Sequence, residues 1–162
     1  MSTLVEMFRH NLWANQLILA ACRELDETQL AAGAEGTYGA IGDTLVHLFS
    51  AEQRYVFALT GRKPATQNSE RNGWPGFDDL EAAAAWSGQA LIEIAANDPY
   101  GELLSGTWGD QPYTLRAFIP LLQAINHATE HRAHVMTALT QLGLTPPDLS
   151  AWRYDSETSG SA

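Results

Sequence analysis

Cysteine is nearly missing from this sequence: Cys22 stands alone. A single thiol forms neither an intramolecular disulfide nor a cysteine-based zinc cluster. Its neighbours Ile18, Leu19, Ala20 and Ala21 mark it as a small buried hydrophobe rather than a nucleophile. Basic residues are scarce as well. Nine Lys and Arg face nineteen Asp and Glu, a formal charge of −10. Such a surface repels phosphate backbones, and no local Lys/Arg cluster offsets it, so nucleic acid and anionic membrane are not expected partners. The acidity serves solubility. Long apolar runs are absent, which excludes a bilayer-spanning helix. The start, Met1 to Glu6, lacks the basic and then apolar pattern of a signal peptide, and the cytoplasm is the expected compartment. Several catalytic signatures are absent too. Without a Glu-x-x-His pair, a di-iron carboxylate bundle is disfavoured. His-Glu-x-x-His, the phosphate loop, Gly-x-Gly-x-x-Gly and the serine elbow do not occur.

What is present fits one domain. The chain has 162 residues, 45% of them hydrophobic, enough for a substantial core. Helical periodicity runs through four segments: about Leu4 to Leu25, capped by Ser2 or Thr3; about Ile41 to Thr60, stopped by Gly61; about Asp78 to Asn97, capped by Asp78 or Asp79; and about Leu115 to Leu142, capped by Thr114 and stopped by Gly143. Pro120 is expected to kink the last segment within its first turns, the alternative being a start nearer Pro120 than Leu115. The connections are long, polar and rich in turn formers. The one from Leu103 to Tyr113 reads as a short hairpin or an irregular loop. The expected fold class is all-α: a single-domain four-helix bundle over residues 1–154, with a disordered tail over 155–162.

Chemistry concentrates in the histidines. Three of the five, His127, His131 and His134, fall within eight residues; His10 and His47 are isolated. His127 and His131 are four apart, which on a helix puts both imidazoles on one face, where they can share a divalent metal. The apolar stripe of that helix follows Phe118, Leu121, Leu122, Ile125, Met136 and Leu139, and the histidines lie roughly 120° from its centre at ~100° per residue. His47 likewise points away from the Leu45/Phe49/Val56 stripe. Phase alone therefore describes surface or groove histidines, with or without metal. Small residues beside them (Ala124 and Ala138; Ala40, Ala51 and Ala58) leave room for a cleft.

Four segments together resemble the DinB/YfiT-like family of metal-binding four-helix bundles. His10 to Ile18 is similar to that family's Trp-Ala-Asn first helix. Gly42 to Glu52 resembles its Leu-x-His-Leu-x-x-x-Glu helix. Asn126 to His134 resembles Asn-His-x-Thr-x-His-Arg-Gly-Gln, and Leu142 to Leu149 the exit from the last helix. The resemblance implies a divalent metal, zinc or nickel, held by His47, His127 and His131. Ala133 and His134 replace the motif's Gly and Gln. His134, one turn beyond His131, is a competing ligand by position, and is expected to support the site or face the surface instead. Glu130 is expected to meet solvent or to pair with Arg132 or a neighbouring helix.

The resemblance further implies a metal-dependent transferase that activates a low-molecular-weight thiol, such as bacillithiol or mycothiol, for conjugation to an electrophile. A metal-dependent hydrolase is a variant of the same site. The alternatives are a non-catalytic metal- or ligand-binding stress-response bundle and a metal-free bundle with solvated histidines. A homodimer is the expected assembly, with Trp13, Trp86 or Trp152 as candidates for its interface.

Overall fold

The computed structural model describes residues 2–160. It is mostly helical, with one small antiparallel sheet. The elements in order are α1 (Thr3–Cys22), α2 (Glu27–Leu30), α3 (Ile41–Thr60), a 3-10 turn (Glu70–Asn72), α4 (Phe77–Ala96), β1 (Leu103–Trp108), β2 (Gln111–Arg116), α5 (Phe118–Gln141) and α6 (Ala151–Thr158). None of the described helices is long and apolar enough to cross a membrane.

Local chemistry accounts for most helix ends. Of the two candidate caps before α1, Ser2 takes the role and accepts from the Val5 N–H. Gly61 closes α3 in the left-handed conformation at φ 70°, donating its N–H to the Phe57 carbonyl. Asp78 and Asp79 do not cap α4. They lie inside its first turn, where their charges oppose the positive end of the helix dipole, and Gly76 is the cap residue. Pro120 falls in the first turn of α5. A missing N–H there costs no intrahelical hydrogen bond, and α5 begins at Phe118, nearer Pro120 than Leu115. Thr114 is no cap, because the hairpin claims it in β2. The hairpin pairs Leu103 with Arg116 through Trp108 with Gln111, and Gly109, at φ 58°, opens its two-residue turn.

The segment after Tyr154 differs from the expected disordered tail. α6 continues to Thr158, with Ser150 as its N-cap. Its charges find partners: Trp13 donates to Glu157, Tyr154 to Glu6, and Arg153 pairs with Glu157. Residues 161–162, also assigned to that tail, lie outside the described residues.

The four long helices pack around two apolar clusters. α1 and α3 each lie against both α4 and α5. One cluster joins Ile18, Leu19, Leu45, Phe49, Leu80, Val135 and Leu139; the other joins Val5, Phe8, Val56, Leu91 and Leu121. Along α1 and α5 the second cluster precedes the first, and along α3 and α4 the order is reversed. Hence α3 and α4 run the same way, and the connection over residues 61–76 must travel back along α3, a length of roughly 30 Å for twenty residues. Gln53 pins that returning strand to α3, donating to the Thr66 carbonyl and accepting from the Asn68 N–H.

Candidate metal centre

α3 carries His47, and the adjacent α5 carries His127 and His131 one turn apart. Their helix faces meet. The Nε2 atoms of His47 and His127 lie 3.0 Å apart, and the ring centroids of the three imidazoles are 4.3 to 4.9 Å from one another. One ligand-capable nitrogen from each lies within 4.8 Å of the other two. His131 is buried at 5% exposure, which excludes the surface alternative for it and leaves the groove.

The donor set suits a divalent cation. Two nitrogens that each sit ~2.0–2.1 Å from a tetrahedral metal are roughly 3.3 Å apart, close to the spacing of His47 and His127. Imidazole must be neutral to ligate, and burial holds it so. The pKa of His127 is pushed from 6.5 down to about 4, first by desolvation and then by the neighbouring His131, His47 and Arg54, against a raising pull from Glu70. Desolvation is also the main cause for His131, which falls to about 4 with help from His47 and His134. Both rings bury an Nδ1 atom that finds no hydrogen-bond partner among the described residues.

Two residues outside the helices complete the surroundings, and sequence reasoning missed both. Glu70 reaches His47 Nδ1 at 2.9 Å from the 3-10 turn in the returning connection. Tyr38, in the turn before α3, stacks on His47 at 4.2 Å between centroids and meets His131 edge-on at 5.1 Å. Its hydroxyl donates to Glu70, and its backbone N–H donates to His134 Nδ1. Burial raises the Glu70 carboxyl, but contacts with His47, Tyr38 and Arg54 outweigh this and leave it below its usual range.

His134 packs against His131 at 5.3 Å but stands outside the three-histidine group. Glu130 is exposed, and Arg132 turns inward instead of pairing with it. His10 lies elsewhere, bonded to the Leu149 carbonyl and packed on Trp13 and Tyr154. Cys22 is fully buried, and burial pushes its thiol up to about 12, which makes it a poor nucleophile at neutral pH.

A second polar cluster lies behind the histidines. Arg132 Nη1 donates to Asn11 Oδ1 and Asn15 Oδ1 at 2.7 and 2.6 Å. Both asparagines donate to Glu52 Oε1, and Ser87 donates to Glu52 Oε2 at 2.8 Å. All five side chains are buried, and together they bridge α1, α3, α4 and α5 between the two apolar clusters. Burial lowers the Arg132 pKa to about 10, with Glu52 opposing, so the guanidinium keeps its charge at neutral pH. The signal in the sequence was an acid, Glu52, on the apolar stripe of α3.

Two cavities lie along the same stretch of α3, both reaching Asp43 and Val46, and none of the three histidines lines either of them. One of about 320 Å³ is lined by Tyr38, Gly39, Asp43, Val46, Glu70 and Gly73. The other, of about 500 Å³, shares Asp43 and Val46 and adds Leu30, Ala31, Gly42 and Trp74.

A family model described as "DinB family" matches residues 1–160, nearly the whole chain. No curated protein matches it. The chain belongs to the DinB family.

Proposed function

We propose that this member of the DinB family is a metal-dependent transferase in which His47, His127 and His131 hold zinc or nickel. The observation that carries the reading is the convergence of three imidazole nitrogens within 4.8 Å from helices that are eighty residues apart in sequence. Neutral nitrogen donors of this kind suit zinc and nickel. A divalent metal with an open position supplies Lewis acidity, which favours the thiolate of a low-molecular-weight thiol.

The chain's own residues do the rest. His127 and His131 remain unprotonated at neutral pH because they are buried. Tyr38 covers one face of His47 and limits water access there. The cavity against Leu30, Val46 and Trp74 offers apolar surface to the body of an electrophile. The buried Cys22 takes no part.

The four long helices are read as a four-helix bundle, with the site in a groove between α3 and α5. A homodimer and a cytoplasmic location belong to the same proposal. A lone cysteine suits a reducing compartment, and Trp152, at 87% exposure, is open to a second copy.

The test is conjugation of a generic electrophile by metal-loaded protein, offered several low-molecular-weight thiols. Turnover in the wild type that vanishes in His131→Ala is the expected result. Equal rates in both would contradict the mechanism. Bound metal with no turnover for any thiol would favour the non-catalytic binding bundle.

A further inference from the structure

We infer that Glu70 is a positioning residue for the metal centre: its carboxylate fixes the tautomer and ring orientation of His47 so that Nε2 faces the metal. This role rests on the metal reading above, but on different atoms.

The geometry is specific to one of the three imidazoles. Glu70 Oε1 lies 2.9 Å from His47 Nδ1. An ionised carboxylate only accepts, so Nδ1 carries the proton and Nε2 keeps its lone pair. That same Nε2 lies 3.0 Å from His127 Nε2. The Nδ1 atoms of His127 and His131 have no hydrogen-bond partner among the described residues. Among the described residues, the ion pairs give this histidine group a single carboxylate, Glu70. Three neutral imidazoles leave a divalent ion with its full charge, and Glu70 stands where it can offset part of it.

Glu70 is itself held from several sides. The Tyr38 hydroxyl donates to Oε2, the other oxygen, at 3.2 Å, and Arg54 approaches Oε1 at 3.7 Å. The Ser69 hydroxyl caps the turn that bears it by accepting from the Arg71 N–H. The connection over residues 61–76 is fastened to α3 at Gln53 just before that turn. With Tyr38 stacked on a face of the His47 ring, that ring has little freedom to rotate. A carboxylate that orients a ligating imidazole in this way typically contributes about 10–100-fold to metal affinity.

Cobalt(II) titration of untagged, metal-free protein tests the role, because cobalt affinity and the visible spectrum report ligand number and orientation without any assay of turnover. Glu70→Ala should lower cobalt affinity by about 10–100-fold and change the spectrum. Glu70→Gln keeps an oxygen acceptor for Nδ1 and should retain the wild-type spectrum with a smaller loss of affinity. The Glu70 side chain is 43% exposed, so the metal-free melting temperatures of both variants should stay near that of the wild type. Wild-type affinity and spectrum in Glu70→Ala would overturn the role. So would equal losses in both variants with unchanged spectra, which would mean that only the charge matters. No cobalt uptake by the wild type would overturn the metal reading, and the role of Glu70 with it. Uptake by the wild type with an indifferent Glu70→Ala would overturn the role of Glu70 alone.

Discussion

Two polar clusters share α3 and α5, and adjacent residues divide between them: His131 belongs to one and Arg132 to the other. Both residues are buried to a similar degree, at 5% and 4% exposure. Their hydrogen bonding differs. In the Arg132–Asn11/Asn15–Glu52–Ser87 cluster, the buried charges are matched by amide and hydroxyl groups of the protein. In the histidine cluster, nitrogens converge on one another, and two buried Nδ1 atoms have no hydrogen-bond partner among the described residues. A saturated network is a structural tie across four helices. Three converging lone-pair donors could hold a cation. The comparison teaches that burial does not mark a site; the pattern of satisfaction does.

The strongest way to break the contrast is to delete a ligand. His127→Ala or His131→Ala should reduce bound metal from near one equivalent to background, as elemental analysis would show, because two imidazoles do not make a closed site. Retention of full metal in either variant would merge the two clusters into one structural class. Next is Arg132→Ala, which strands Glu52 as a buried carboxylate facing two asparagines. It should cost about 3–5 kcal/mol in urea unfolding of the metal-free protein. A loss below about 1 kcal/mol would mean that the network carries little of the fold.

A subtler separation uses pH. His127 and His131 sit at about 4 in the folded protein, against 6.5 for an ordinary histidine. Between those values the unfolded chain takes up protons that the folded chain refuses. Metal-free stability should therefore fall as pH drops from about 6.5 toward 4, and level off above that window. His131→Ala should flatten the slope; an unchanged slope would place the titration elsewhere. The smallest expected effect is that of His10→Ala. It breaks a contact to the Leu149 carbonyl remote from the triad, and metal content should not change.

How much of this was legible in the sequence depended on whether the signal was local. α3 spans Ile41–Thr60, as its periodicity and Gly61 indicated, and Ser2 stands at the start of α1. The pairing of His127 with His131 followed from helix geometry alone, whereas His47 came only through family resemblance. The phase of α5 was misread for a physical reason. Its buried face runs from Leu121 and Ala124 through Ala128, His131, Arg132 and Val135 to Ala138 and Leu139, so Leu121 and Leu139 of the expected stripe are buried while Leu122 is 53% exposed. A hydrophobicity count treats Leu122 as core and the alanines as neutral, so it rotates the face away from the polar residues that the protein buries in pairs. Glu70 and Tyr38 gave no periodic signal. Their place at His47 depends on a connection doubling back along α3 and on the turn before it, which only the packing of the long helices determines. The segment after Tyr154 looked too polar to fold, yet it continues α6, which meets α1 through hydrogen bonds from Trp13 to Glu157 and from Tyr154 to Glu6.

The central claim is that His47, His127 and His131 form a metal centre. Its most direct test is elemental analysis of untagged protein purified without added metal, followed by titration with zinc and nickel. The expected content is near one equivalent per chain, reached either on purification or on titration. Less than about a tenth of an equivalent, with no uptake of either ion, would contradict it.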